Sequence, residues 1–148
     1  MNSNPFKENE EKAEQVLREC GLPPEQRFIA QLRTLLEQET ANEERAGNAF
    51  LRALCLLLWL NGDPQDAPRI AAAKFSSFDA GCTVDEDFLV CGSLEQTRAH
   101  LTASDQRGAR KALEAIAEWT DRRNPSAHSK DKMIAAERRY YARAGINL

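Results

Sequence analysis

Little in this sequence speaks for a β-sheet. Alternation of apolar and polar residues with period two is absent, β-branched residues are sparse, and no Asn-Gly or Asp-Gly turn sits between two alternating runs. Aromatic residues make up 7% of the chain and apolar residues as a whole 42%. The core must therefore be built largely from Leu and Ala, which favours helix packing. No repeat of fixed period is present. The most apolar run, Phe50 to Leu60 with only Arg52 interrupting it, is about half the length needed to cross a bilayer and reads as a buried helix. Met1 to Glu14 offers neither a basic n-region nor an apolar h-region. These absences lead to the expectation of a cytoplasmic chain that engages no membrane.

Motifs that carry chemistry are missing as well. None of the four cysteines, Cys20, Cys55, Cys82 and Cys91, belongs to a CxxC pair, so free thiols in a reducing cytosol are expected. Cys82 and Cys91 are the two near enough in sequence to bridge, and Cys55 falls inside the apolar run as a small core residue. Cys82, Cys91 and His100 are equally spaced but match no zinc pattern. The acidic turn Asp79 to Asp87 fails as a calcium loop because Gly81 takes its third place rather than its sixth. His128 lies between Ser126 and Ser129, but neighbours on one loop do not by themselves make a triad. No Gly-x-Ser-x-Gly, phosphate-binding glycine loop or His-Glu-x-x-His occurs. The expectation is a non-enzymatic protein with no cofactor and no metal.

What is present is helical punctuation. Pro5 to Cys20 has Ala13, Val16 and Leu17 on one face, ended by Gly21 and Pro23-Pro24. A helix from Pro24 or Glu25 carries the stripe Phe28, Ile29, Leu32, Leu35 and Leu36 as far as Gln38. Thr40 to Glu43 reads as a capping box opening the next helix, with one continuous helix as the alternative. Ala46 to Leu60 is apolar nearly all round and belongs at the centre, ended by Asn61-Gly62. A short helix follows from Asp66 or Ala67 to Phe75, then a loop from Ser76 to Gly81. Capping boxes at Thr83 and Ser93 open two further helices, the first closed by Gly92 and the second running to about Thr102. Ser104 caps a helix with Ala109, Leu113, Ile116 and Ala117 inward and Trp119 near its end. Asn124 to Ser126 is a loop, and a last helix runs from Ser129 or Lys130 to about Ala144. The predicted fold is all-α: an irregular multi-helix bundle or short solenoid-like stack, one domain over 1–148 with residues 1–4 frayed.

The stretch Asn61-Gly-Asp-Pro-Gln-Asp-Ala-Pro-Arg-Ile-Ala-Ala-Ala-Lys-Phe-Ser-Ser-Phe-Asp79, with Asp85, Phe88-Leu89 and Thr97, resembles a pattern in small bacterial helical proteins of no established activity. The resemblance implies a bacterial cytosolic protein and carries over no functional residue. It draws attention to Lys74 and Asp79 as a pair. The competing reading leaves Lys74 exposed beside two core phenylalanines, Phe75 and Phe78.

Charge is unevenly spread behind a net of −3. Residues 1–104 hold seventeen acidic and ten basic side chains, and residues 105–148 hold six and ten. One reading has the charge simply solvate helix faces; it can also steer a charged partner. Small size, an acidic surface and missing catalytic motifs lead to the expectation of a protein-binding protein, in the finer form an immunity-type inhibitor that neutralises a toxin. Its contact patch is placed at Lys74, Asp79, Asp85, Glu86 and Asp87. The alternative is a nucleic-acid-associated regulator or accessory subunit. It uses the basic end: Arg122, Arg123, Lys130, Lys132, Arg138, Arg139, Tyr140 and Tyr141.

Overall fold

The computed structural model describes residues 4–106, 108–122 (without the Arg122 side chain) and 129–148. Among these, eight α-helices form an all-α bundle with no strand: α1 (Pro5–Cys20), α2 (Ile29–Ala41), α3 (Ala49–Asn61), α4 (Ala67–Lys74), α5 (Phe78–Thr83), α6 (Leu94–Ala103), α7 (Ala109–Arg122) and α8 (Lys130–Arg143). Short 3-10 turns occur at Gln26–Phe28, Pro64–Asp66 and Glu86–Leu89.

The centre is α3. Leu51 and every residue from Ala53 to Leu60 are buried, as a sequence apolar on all sides requires. It packs chiefly on α1 and α2, while α4 joins α2 to α7, and α6 pairs with α7. Truncating any of its buried leucines to Ala costs about 2–5 kcal/mol. The first turn of α3 has no side-chain bond from its own N-cap, Asn48. One comes from another helix: Asn9 of α1, itself buried, accepts the Phe50 backbone N–H at 3.1 Å.

Local signals succeed where the motif sits at a real helix start. Ser93 and Gln96 form the expected reciprocal box on α6, and Ser129 caps α8. Asn4, expected to fray, caps α1 by accepting from Phe6 and Lys7. Residues 1–3 lie outside the described residues, as does the expected loop Asn124 to Ser126.

Two other capping boxes do not form. Thr40 lies in the last turn of α2, where its hydroxyl donates to the Leu36 carbonyl at 2.7 Å. Thr83 ends α5 and donates to the Asp79 carbonyl at 2.8 Å. A threonine within a helix satisfies its hydroxyl four residues back rather than capping forwards. The chain is therefore neither continuous through residue 42 nor helical from Thr40: residues 42–48 separate α2 from α3.

Three further expectations change. The loop Ser76 to Gly81 contains the start of α5, capped by Ser77. The residues after Thr83 make only the 3-10 turn Glu86–Leu89. Ser104 ends α6 instead of opening α7, and Ala112 rather than Ala117 faces the core. Gly108 allows α7 to approach α4, because a Cβ there would lie 3.0 Å from the Ala72 backbone nitrogen.

Candidate functional site

A broad open groove of about 1150 Å³ runs between the end of α2, residues 43–48, α4, the start of α5 and the start of α7. Its lining includes Phe6, Phe75, Asp79, Arg110 and Lys111. Arg45 and Arg69 also line it but are committed. Arg45 donates to Asn48 and Ser76, both at 2.7 Å, and Arg69 pairs with Glu37 and Asp66. Arg110 and Lys111 make no ion pair among the described residues. The Lys111 ammonium stands 5.7 Å from the Phe75 ring centre.

Phe78 follows Ser77 and precedes Asp79, which both line the groove, but is not itself part of the lining. It is 85% exposed, and Phe6 in the groove is 64% exposed. The placement of Phe78 corrects the expectation of a core residue. Ser77 accepts the Ala80 N–H and starts α5, so Phe78 becomes the first helical residue and Ala80 the one buried residue of that helix. Phe75, one residue past α4, is half-buried.

Lys74 is only 5% exposed, which corrects the expectation of an exposed lysine. The chain reverses after α4 and brings α5 back over it. Its ammonium then donates to the Gly81 carbonyl at 2.6 Å and to the Val84 carbonyl. A cation is favourable at such a helix C-terminus. Burial pushes the Lys74 pKa down, and the nearby carboxylates of Glu86 and Asp85 partly oppose the fall. Lys74 forms no ion pair with Asp79.

The acidic run does not make one patch. Asp79 and Glu86 are exposed, Asp85 is half-buried and Asp87 is buried. Asp85 pairs with Arg52 at 3.5 Å. The same guanidinium donates to Glu137 at 2.7 Å and lies 5.6 Å from the Phe88 ring centre. The expected contact set is thus divided between surface and scaffold.

The basic end divides in the same way. Lys130 turns inward and donates to the Leu60 carbonyl at 3.3 Å, beside the Trp59 ring. Tyr141 is half-buried, and burial pushes its pKa up to about 12. Lys132, Arg138, Arg139 and Tyr140 are exposed. Arg123 and the Arg122 side chain lie outside the described residues.

A second charged cluster is structural. Asp66, fully buried, accepts from Arg33 at 2.8 and 3.1 Å and from Arg69 at 3.0 Å. The hydrogen bonds that Arg33 donates to Asp66 raise the Arg33 pKa. Burial alone would raise the Asp63 carboxyl, but hydrogen bonds from Gln65 and the Arg33 guanidinium hold it below the usual range. These contacts join α2 to the turn before α4.

Three of the four thiols are buried and held back from reaction. Cys82 and Cys91 do not pair: Cys82 is exposed, and Cys20, Cys55 and Cys91 are buried and free. Burial pushes the Cys55 thiol up to about 12 and raises Cys91 further. A raised pKa withholds the reactive thiolate.

No protein-family model, curated protein or solved structure matches the chain. Among the described residues no helix is long and apolar enough to cross a membrane. The features sequence reading missed are the groove and Phe78. The available signal was Ser77 as an N-cap, which places the next residue at the first helical position and leaves little of so short a helix to bury.

Proposed function

We propose that this chain is a non-enzymatic protein-binding module. Its docking face is the groove between α2, α4, α5 and α7, with Phe78 as the anchor. The observation carrying this reading is a phenylalanine left 85% exposed on a capped helix beside a groove with a second exposed aromatic, Phe6. Aromatic side chains, Phe among them, are enriched in protein interfaces relative to the rest of the surface. Asp79 at one side and Arg110 and Lys111 on the lining supply charges of both signs, which set orientation more than affinity. The finer form of the proposal is an immunity-type inhibitor in a bacterial cytosol. It is supported by the small size and the acidic balance of residues 1–104.

Replacing Phe78 by a photoreactive benzoyl-phenylalanine tests the reading. Irradiation in native cells is expected to give one discrete protein adduct. Binding of that purified partner should weaken about ten- to a hundred-fold in Phe78→Ser, the equivalent of losing about 1.5–3 kcal/mol of side-chain burial. Adducts without a discrete partner, or equal binding by the variant, would overturn it. The immunity form further requires the partner's toxic activity to fall when the wild-type chain is added.

A further inference from the structure

We infer that the outward face of α8 is a second binding surface, one that takes single-stranded nucleic acid. Helix α8 has two unlike faces. Lys130, Met133, Ile134, Glu137 and Tyr141 are half-buried or buried, turned to the rest of the molecule. On the other side Lys132, Ala136, Arg139, Tyr140 and Arg143 are exposed. Their spacing of four, seven, eight and eleven residues from Lys132 puts them on one side of a helix. The stripe is about 16 Å long at the helical rise.

The chemistry of this face is specific. Its three cations form no ion pair among the described residues. The acid at the middle of α8, Glu137, is turned inward and held by Arg52. Tyr140 is 67% exposed, and its ring meets that of Tyr141 in a T-shaped contact at 5.1 Å between centres. Ala136 keeps the middle of the stripe low. Cations that follow a phosphate backbone, interleaved with an aromatic ring on which a base can stack, suit an unpaired strand better than a duplex, whose bases are already stacked.

The acidic remainder of the chain does not forbid this. The outward stripe stands about one helix diameter, ~10 Å, from the body. That is about the screening length in 0.1 M salt.

The test uses the full chain and fluorescently labelled oligothymidine and oligouridine of about twelve nucleotides, a length within the usual site size. Both should bind at low salt. The affinity should fall with salt along a log–log slope of about −2, as three displaced counterions on a single strand give. Lys132→Gln, Arg139→Gln and Arg143→Gln combined should flatten that slope. Tyr140→Ala should weaken binding about ten-fold and leave the slope unchanged. A preference for either sugar identifies the source of the strand and supports the inference. Equal or tighter binding to a duplex of the same length, equal competition by polyglutamate, or no binding at low salt overturns it. Circular dichroism of each variant separates loss of the surface from loss of the helix.

Discussion

Glu137 accepts a 2.7 Å hydrogen bond from Arg52, linking α8 to the central helix across 85 residues of sequence. Among the described residues α8 is also tied to the body by Lys130 to the Leu60 carbonyl and Arg138 to the Leu22 carbonyl. Glu137→Ala leaves the half-buried Arg52 with the longer Asp85 contact and the Phe88 ring. It should destabilise by about 1–3 kcal/mol and speed amide exchange selectively in α8. Uniform loss of protection through all eight helices, or none, would contradict the assigned role.

Lys74 gives a pH-dependent prediction whose sign is fixed by burial. Its folded-state pKa lies below the ordinary lysine value of 10.5, so the folded chain binds fewer protons than the unfolded one as pH approaches that value. Stability contributed by this group then rises with pH, from the lowered value up to about 10.5. Near neutral pH, Lys74→Met should cost about 1–3 kcal/mol by leaving the Gly81 and Val84 carbonyls without their donor. The urea midpoint of the wild type relative to Lys74→Met should climb as pH rises towards 10.5. A flat or falling difference counts against the buried amine.

Two phenylalanines ten residues apart should behave oppositely. Phe88 is fully buried against Trp59, at 5.0 Å between ring centres. Phe88→Ala should cost about 3–5 kcal/mol. Phe78→Ser should change stability by about 0.5 kcal/mol or less, because the ring already faces solvent. Thermal unfolding of the two variants decides this, and a large loss in Phe78→Ser would place that ring in the core after all.

Thiol labelling reads the same burial pattern without mutation. Under native conditions at neutral pH an alkylating reagent should modify Cys82 alone. Cys20, Cys55 and Cys91 are buried with raised pKa values and should react only after unfolding. Mass spectrometry after brief exposure should show a single adduct. Rapid modification of Cys55 would be incompatible with its place in α3.

The all-α class and the central place of α3 were legible because a run apolar on every side has one stable location. Ser93 was legible because serine, glutamine and a helix start coincided. Thr40 and Thr83 show the limit. Their four-letter patterns match a capping box as well as Ser93 does, but each hydroxyl serves the helix that precedes it. A local pattern does not say on which side of a helix end a residue falls. The expected acidic patch is divided between surface and interior for a related reason. Asp85 and Asp87 are adjacent in sequence to exposed residues but are drawn inward by the fold, Asp85 toward Arg52 on a distant helix. The groove is assembled from five separate segments, so no stretch of sequence carried its outline.

The bond between Asn9 and Phe50 has a consequence for the order in which the chain is made. Helix α1 leaves the ribosome before α3, and domains fold largely from the N-terminus during synthesis. The acceptor for the first turn of α3 is therefore already in the growing chain when Phe50 emerges. The opposite holds for α8, whose tie to Arg52 can close only when a segment 85 residues further on has been made. The most apolar helix is thus attended from its first turn, while its bond to the basic helix waits for later synthesis.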